Sequence, residues 1–487
     1  MKLRATTSIL PLAALALLGA GTGRGAAEET GREEPGRQVI RVHYTPKDRE
    51  TGRYQYVPFE VGEGTTRVGV EYQYDPSDGA TVVDLGLFEP GPLDLGTKSF
   101  RGWSGGGRRQ ISVGKGEATP GYWPGPLPAG RWHVMLGLYK VAAAGVDVVV
   151  TVETSREPAA AAPPPLPPAR REPIRPGPAW WSGALHAHTV HSDGMLSARE
   201  LARKAREEGL DFLAITDHNN TVHQVETLDA PGLLHIVGEE VTTPGGHANV
   251  WGLGGARDDV DFRVLPGDPA LDDLVAAVRT RGALFSINHP RADCLDCSWT
   301  HAIPAGVAGI EISNGSHEEQ QAAIAIWDGL LAQGRRVAAI GASDWHRGER
   351  PLGSPSVRVR AAELSVLAIL TGILEGRVVV MADARTPPPV LTARKGGVEA
   401  GIGDTLTLRA GEPYEVEVVA NATAYEGARV ELVWKGEPAG SLSLKAGEPV
   451  RFERVSSEPG YLRIHVHARD GSPLAITNPI WVRIAEP

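Results

Sequence analysis

The sequence predicts an α/β domain with a parallel sheet, closed or nearly closed as a barrel, between two all-β sandwich domains. Residues 179–387 alternate short apolar runs with amphipathic segments, a pattern typical of strand–helix units. Residues 39–154 and 388–487 instead contain short runs with period-two hydrophobicity, broken by Gly, Pro and Asp. A Pro- and Ala-rich segment, residues 156–178, separates the first β region from the α/β region.

The composition is that of a multidomain globular protein. A length of 487 residues favours two to four domains, and 41% apolar with 22% charged residues is enough to form buried cores. The formal net charge of −10 argues against a nucleic-acid polymer bound through a basic surface. We therefore expect a small-molecule partner.

The first residues are typical of an export signal. Lys2 and Arg4 precede the apolar run Ile9–Ala20, and small residues at Gly25–Ala27 offer a cleavage site. The alternative is a membrane anchor, but the run is shorter than the ~20 residues that span a bilayer, and no later run is long enough. We predict a signal peptide over residues 1–26 and an exported protein, periplasmic or extracellular, with no membrane span.

The region of residues 39–154 has the pattern of an antiparallel β-sandwich. We predict strands at Thr66–Tyr74, Thr81–Phe88 and Val146–Val152, with turn-forming residues between them. Residues 156–178 cannot bury a core and favour extended polyproline II, so we interpret them as a stiff linker.

The α/β region follows, and the last hundred residues return to β structure. We predict central strands at Ala184–His188, Phe212–Thr216, Leu234–Val237, Ala248–Leu253, Ala283–Ile287, Gly309–Ser313 and Val337–Ile340. Helices are predicted at Ala198–Glu208, Leu271–Thr280, Glu318–Ala332 and Glu363–Leu374. Ser197 and Glu200 fit a capping box at the start of the first helix, and Gly209 ends it. Strands of a second small sandwich are predicted at Tyr414–Val419, Arg429–Lys435, Tyr461–His467 and Ile480–Ile484.

The two cysteines form a single C-x-x-C. With no second pair, Cys294 and Cys297 cannot build a zinc site alone. A local disulfide that tightens a loop is the interpretation we favour in an oxidising compartment. A redox-active site is the alternative.

Histidines are concentrated in the α/β region. Eleven of the fifteen lie between His186 and His346, about a third of the chain. Six of these histidines and three carboxylates lie at or just after the ends of predicted strands: His186, His188, Asp193, His218, Glu240, His247, His289, Asp344 and His346. Barrel enzymes assemble their sites at the carboxyl ends of strands, so we expect these side chains to converge.

Nine such ligands could bind two or three divalent ions. Imidazole and carboxylate suit Zn, Mn or Fe, and the absence of thiolate fits a catalytic site with positions open for water. Each motif alone is weak, because a His-x-His is more often on a surface than on a metal. His465 and His467 form such a pair without companion acids, and we interpret them as solvated. The metal hypothesis depends on all the strand ends together.

The motifs together resemble a known superfamily. LHAHTVHSDG, AITDH, GEEVTTPGGHANVWG, SINHP and GASDWH are similar to the successive motifs of the PHP (polymerase and histidinol phosphatase) superfamily. GHANVWG and ITNPIWV resemble the branch of exported PHP metallohydrolases that includes carbaryl hydrolases. The resemblance covers about residues 180–385 well and the C-terminal region loosely. It implies a distorted (β/α)7 barrel of PHP type with nine ligands and up to three metals.

Carried over by motif, the resemblance also implies a division of the ligands. His186, His188 and Asp344 would bind one ion, and Glu240 would bridge to a second ion on His247 and His289. The third ion would be bound by Asp193, His218 and His346. Glu239 is adjacent, but the family pattern places the acid directly before V-T-T, and a strand reverses side chains at each residue. We therefore assign Glu240.

The implied chemistry is metal-assisted hydrolysis of a small ester substrate, phosphorylated in the leading hypothesis. Arg291 and Arg347 follow two ligand motifs, where a guanidinium could clamp a phosphate bidentately; solvent-exposed loop arginines are an equally good interpretation. His191, His223 and His301 match no family ligand. One of them could donate a proton to the leaving group.

Three functions remain open from the sequence. The leading one is a phosphoesterase for phosphomonoesters or for small phosphodiesters such as nucleotides. The branch resemblance raises an alternative, hydrolysis of aryl carbamate esters. A third is a non-catalytic module in which the metals serve structure and the sandwiches dock onto polysaccharide or another protein.

Overall fold

The computed structural model describes residues 36–158, 160–162, 166, 172–293, 296–314, 316–348 and 350–485. The predicted signal peptide, residues 1–26, lies outside the described residues, as does part of the predicted linker. None of the helices in these ranges has the length and apolar character that crossing a membrane requires.

The N-terminal unit consists of two antiparallel sheets packed face to face. Its elements are β1 (Arg37–Tyr44), α1 (Pro46–Thr51), β2 (Tyr54–Val61), β3 (Arg67–Gln73), β4 (Val82–Phe88), β5 (Phe100–Gly105), β6 (Gln110–Gly114), β7 (Gly130–Lys140) and β8 (Val146–Ser155). The strand orders are β1–β8–β3–β6 and β2–β7–β4–β5. In β8, Val146, Val148, Val150 and Val152 are buried while the residues between them are more exposed, because alternate side chains face the shared core.

The central domain is a mixed α/β layer. Its elements are β9 (Ala179–Ala184), α2 (Ala198–Glu207), β10 (Phe212–Ile215), β11 (Leu234–Thr243), β12 (Gly246–Trp251), α3 (Ala270–Thr280), β13 (Leu284–Ile287), β14 (Gly309–Ser313), α4 (His317–Ala332), β15 (Ala338–Gly341), β16 (Ser356–Ala361), α5 (Val366–Leu374) and β17 (Val378–Met381). The capping box predicted at Ser197 and Glu200 is confirmed at the start of α2.

The central sheet is not purely parallel, so that part of the prediction is wrong. Its order is β15–β14–β13–β12–β11–β10–β9–β16–β17, and β12 and β16 run antiparallel to their neighbours. β12 is reversed because only Pro244 and Gly245 connect it to β11, and a hairpin connection of two residues forces antiparallel pairing.

A closed (β/α)7 barrel is not shown. Within the described residues no backbone ladder joins β15 to β17, although these strands lie side by side: a Cβ added at Gly341 would lie 2.5 Å from Val380. The Asn478 side chain links these two strands instead. Its amide oxygen accepts from the Ala339 N–H at 2.8 Å, and its nitrogen donates to the Ala339 carbonyl at 3.0 Å and the Val378 carbonyl at 3.1 Å.

The C-terminal unit shares its second sheet with the central domain. Its strands are β18 (Val390–Lys395), β19 (Val398–Gly401), β20 (Thr405–Leu408), β21 (Glu412–Val419), β22 (Arg429–Trp434), β23 (Glu437–Ser443), β24 (Val450–Ser456), β25 (Gly460–His467), β26 (Pro473–Thr477) and β27 (Ile480–Ile484). One sheet is β19–β18–β21–β24. The other continues the central sheet as β17–β26–β25–β22–β23, with β27 between β25 and β20.

His465 is not solvated, contrary to the prediction. It is partly buried in β25 and accepts a hydrogen bond from Nε of Arg463 at 3.1 Å. Arg463 also pairs with Asp328 of α4, so this face of β25 is covered by the central domain. A His-x-His on a strand is here part of an interface and not of a metal site.

The N-terminal unit docks on the central domain through an apolar contact. The rings of Tyr54 and Trp103 lie 5.8 Å and 4.9 Å from Phe262 of the central domain. Arg257 pairs with Glu89 at 3.2 Å, and the backbone N–H of Gly121 donates to the His191 ring at 3.1 Å. These contacts fix the N-terminal unit beside the histidine-rich loops of the central domain.

Candidate metal centre

His186 and His188 lie just beyond a strand and not within it. β9 ends at Ala184, earlier than the predicted strand Ala184–His188. The chain continues alongside the segment of Asp344 and His346: the His188 N–H donates to the Trp345 carbonyl at 2.9 Å, and Ala187 forms an isolated bridge with Trp345. This pairing brings two sequence motifs, more than 150 residues apart, to one place.

Glu240 is the centre of the cluster. It is fully buried near the end of β11. Its carboxylate oxygens lie 2.8–3.4 Å from ring nitrogens of five histidines: His186, His188, His218, His247 and His289. Asn288 donates to the same carboxylate at 2.8 Å. Glu239 points the other way and accepts from the backbone N–H of Val260 at 2.8 Å, as alternation along a strand requires.

The other two carboxylates extend the cluster to both sides. Oδ1 of Asp344 lies 3.0 Å from Nε2 of both His186 and His188. Asp344 has a φ of 49°, an unusual conformation for a non-glycine residue that occurs preferentially at functional sites. Oδ1 of Asp193 lies 3.2 Å from Nε2 of His346 and 3.6 Å from Nε2 of His218.

The nine residues predicted as ligands are all brought together. Their donor atoms form four overlapping groups, in each of which the atoms lie within 4.8 Å of one another. The groups are His188–Asp193–His218–His346, His186–His289–Asp344, His186–His188–Glu240 and His218–Glu240–His247. This differs from the implied division, because His188 joins the Asp193 group and His289 joins His186 and Asp344. The cluster could hold metal ions in more than one position.

The donor chemistry of the cluster fits cations. Nε2 of His186 and Nε2 of His188 face each other at 3.1 Å, and ring nitrogens of His218 and His188 lie 2.8 Å and 3.4 Å from the buried Oε2 of Glu240. Burial, reinforced by His346 and His218, lowers the pKa of His188 to about 4, which keeps its imidazole neutral. Burial opposes ionisation of Glu240, but His186, His218 and His247 hold its pKa well below the usual range. Neutral imidazole and ionised carboxylate are the forms that bind metal. Against the effect of burial, neighbouring carboxylates raise the pKa of His186, His218, His289 and His346, so a bound metal would displace protons from these rings.

Two acidic residues that contact the predicted ligands or their loops, Glu311 and Asp217, were not predicted from the sequence. Glu311 in β14 is buried, and its carboxylate lies 2.7 Å from Nδ1 of His186 and accepts from the His289 N–H at 2.9 Å. Asp217 accepts from the Thr189 N–H and from Ser192 Oγ, both at 2.7 Å, which fixes the loop that carries His188 and Asp193. The available signal was an acid inside an apolar strand, GIEIS, and an acid next to a ligand, ITDH.

The two arginines differ in position. Arg291 lines a cavity of about 350 Å³ together with seven predicted ligands of the cluster. Arg347 is exposed and is not among the described residues that line this cavity. Arg291 thus borders the cavity at the cluster, and a role in binding for either arginine stays a prediction.

The remaining histidines near the motifs belong to the surrounding structure. His191 lies 2.9 Å from Glu226, His301 lies 2.7 Å from Thr243 Oγ1, and His223 is buried 3.4 Å from Asp217. None of the three is in the four ligand groups found among the described residues. Cys297 is disulfide-bonded, in agreement with the favoured interpretation, and Cys294 lies outside the described residues.

Comparison with known proteins identifies the motif region. The PHP domain family model matches residues 184–247, so the chain contains a PHP domain there, and the superfamily resemblance is confirmed for this segment. An uncharacterized protein of Methanocaldococcus jannaschii is 24% identical over 149 residues, which cover 28% of this chain and 82% of that protein. The carbaryl-hydrolase branch is not confirmed and stays a prediction.

Two solved structures show limited similarity. A two-domain protein of Bacteroides vulgatus containing a predicted PHP-like metal-dependent phosphoesterase is 18% identical, with a TM-score of 0.35, and covers 64% of this chain and 100% of its own. A superoxide reductase (neelaredoxin) of Ignicoccus hospitalis is 15% identical, with a TM-score of 0.15, and covers 20% of this chain and 82% of its own.

Proposed function

We propose that this protein is an exported, metal-dependent phosphoesterase that hydrolyses phosphomonoesters or small phosphodiesters, nucleotides included. The observation that carries the proposal is the convergence of six histidines and two further carboxylates around the buried Glu240. The PHP domain supports it, because members of this superfamily are usually metal-dependent hydrolases. We propose two or three divalent ions, Zn, Mn or Fe, as the cofactor.

The chain supplies both the ligands and the surroundings for this chemistry. Bound divalent ions supply Lewis acidity, which activates water near neutral pH and offsets charge on a phosphoryl group. Glu240 would contribute to two neighbouring metal positions, because it belongs to two of the four groups, one with His186 and His188 and the other with His218 and His247. Asp193, with 58% of its side chain exposed, and His346 would hold the most accessible ion.

Arg291 is the residue that distinguishes phosphate esters from neutral esters in this proposal. Its guanidinium lines the cavity next to His289 and Glu240, where it can donate two parallel hydrogen bonds to phosphoryl oxygens. A carbamate carbonyl has one oxygen of this kind and no net charge, so it gains less from a guanidinium. We therefore place aryl carbamates second.

The test is a combination of elemental analysis and parallel assays. Anaerobically purified protein is assayed for metal content and then with p-nitrophenyl phosphate, bis-p-nitrophenyl phosphate and a naphthyl carbamate. We expect two or three equivalents of metal per chain and turnover of at least one phosphate ester. Turnover of the carbamate alone would replace this proposal by the carbamate hydrolase.

A non-catalytic module is the other outcome that the test distinguishes. If the protein binds metal but His186→Ala and Asp344→Ala change no detectable hydrolytic rate, the metals serve structure alone. The flanking units would then be examined for binding to polysaccharide or to a protein partner.

A further inference from the structure

A second cavity also reaches the metal cluster, and it shares Asp193, His218 and His247 with the cavity that Arg291 lines. It has a volume of about 560 Å³ and lies between the N-terminal unit and the central domain. Asp193, His218 and His247 form its wall on the central side. Strands and loops of the N-terminal unit form the other wall, and we call this space the interdomain pocket. A group bound at the cluster therefore has room in both cavities.

Asp84 is the unusual residue of the interdomain pocket. It lies in β4 and is partly buried, and its carboxylate forms no hydrogen bond with any described residue. Burial raises the pKa of its carboxyl group to about 7, against a lowering influence of Arg53. Buried polar groups normally have partners, and a carboxylate has room for several donors. A carboxylate without a protein donor, facing a cavity beside the metal cluster, is free to accept a hydrogen bond from a bound group.

The cations near Asp84 have other partners. Arg53 is buried, pairs with Asp296 at 3.4 Å and stacks on the Tyr139 ring. Arg108 donates to the Val190 carbonyl at 2.8 Å. These contacts fix both guanidinium groups to the walls, and Arg53 offsets the charge of Asp84 without hydrogen bonding to it.

The remaining wall of the interdomain pocket has a shape that suits the ring of a bound group. Tyr54 and Trp103 line the pocket with their rings in an edge-to-face arrangement, the centroids 6.3 Å apart. Gly105, Gly106 and Gly107 contribute backbone and no side chains, which widens the space next to the indole. Aromatic faces beside hydrogen-bonding groups suit an amphipathic ring.

We propose that the interdomain pocket binds one ester substituent of the substrate, a neutral ring with hydroxyl or amino donors, and that Asp84 accepts a hydrogen bond from it. The inference rests on the proposed phosphoesterase function, and it assigns the part of that site that would select the ester substituent of the substrate. A sugar or nucleoside unit has this chemistry. A second phosphate in the pocket would instead face the Asp84 carboxylate and be repelled.

The experiment compares two p-nitrophenyl phosphodiesters that release the same product. One is the p-nitrophenyl ester of thymidine 5′-phosphate, and the other is methyl p-nitrophenyl phosphate, which has no donor. In Asp84→Ala we expect KM for the thymidine ester to rise about 10-fold, the effect of losing a hydrogen bond to a charged group, with KM for the methyl ester changed less than about twofold. Asp84→Asn keeps one acceptor oxygen and should show a smaller rise.

A binding measurement separates this inference from the proposed function. Calorimetric titration of thymidine into the full chain needs no turnover, and we expect binding to the wild type and to the control Asp147→Ala, whose side chain is 87% exposed. Asp84→Ala should weaken it about 10-fold. Equal binding to wild type and Asp84→Ala, no binding to either, or an equal KM rise for both esters would overturn the inference. Absence of nitrophenolate release from both esters would instead refute the phosphoesterase proposal, and the titration would still decide the pocket.

Discussion

Oε1 of Glu311 lies 2.7 Å from Nδ1 of His186, a buried contact between a strand carboxylate and a predicted metal ligand. Nδ1 therefore donates to the carboxylate, which fixes the tautomer and directs the lone pair of Nε2 into the cluster. The other oxygen of Glu311 accepts a hydrogen bond from the backbone N–H of His289 at 2.9 Å. One carboxylate thus orients two ligands from two different loops.

Glu311→Gln should weaken metal binding without unfolding the protein. The amide keeps the size of the side chain but removes the charge that stabilises the orientation of His186. Loss of such a partner typically costs 10–100-fold in metal affinity or activity, and we expect about that range here. Competition with a chromogenic chelator measures the affinity. Glu207→Gln, on an exposed position of α2, is the matched control; an affinity unchanged in both variants would refute the positioning role.

His186→Ala and Asp344→Ala should each lower metal content and phosphoesterase rate together. Both side chains belong to the same ligand group, so either change removes a donor from a shared position. We expect rates to fall by more than about 100-fold, beyond the loss of a positioning residue. Elemental analysis and initial rates check this. His317→Ala, exposed at the start of α4, should keep both.

Metal removal should also lower thermal stability. A ligand at 100 times its Kd stabilises the folded state by about 2.7 kcal/mol, so chelation should lower Tm in wild type. In His186→Ala the same chelator should change Tm much less. A chelator effect of equal size in both proteins would show that the metal is bound elsewhere.

Arg291→Ala should impair the use of phosphate esters. The guanidinium lines the metal-side cavity and is otherwise exposed, so its removal costs little stability. Loss of charge-assisted hydrogen bonds to phosphate should raise KM about 10-fold. Steady-state rates with p-nitrophenyl phosphate measure this, with the exposed Arg41→Ala as control. The same change at Arg347 tests the second arginine, and an effect at Arg347 alone would reverse our assignment.

The clustering of the nine predicted ligands was predictable because each lies in a recognisable motif in or near a strand. His218 and His289 follow apolar runs whose carboxyl ends meet at one edge, and the structure brings them within reach of Glu240. The membership of the four groups was not predictable, since it depends on which way each ring turns. His188 lies between two carboxylates, with Nε2 3.0 Å from Oδ1 of Asp344 and Nδ1 3.9 Å from Oδ1 of Asp193.

The sheet and the interdomain pocket depend on long-range contacts that periodicity does not contain. Residues 480–484 have an ordinary strand pattern, yet the preceding Asn478 links β15 to β17. The residue pattern of its strand places Asp84 on the outer face of the sandwich, as an ordinary polar residue. Only the docking of Trp103 against Phe262 turns that face toward the central domain and makes the carboxylate part of a pocket.

Asp84→Asn should stabilise the protein at pH 8 more than at pH 5. Burial raises the pKa of Asp84 to about 7 in the folded state, whereas an unfolded aspartate titrates near 3.9. Between these values the folded state binds more protons than the unfolded state, so stability falls as pH rises toward 7 and the full cost is present above it. Asparagine has no charge to bury. We expect the gain at pH 8 to exceed that at pH 5 by about 1–2 kcal/mol, because the cavity leaves the group partly hydrated.

Urea unfolding of the chelated protein at the two pH values measures this difference. Asp229→Asn, exposed on the central domain, is the control, and its effect should be equal at pH 5 and pH 8. A gain of the same size at both pH values for Asp84→Asn would mean that the carboxylate is not buried at a cost. A loss at pH 8 would mean that it is ionised and paired in the folded state, which would also remove the reason to seek a donor in its ligand.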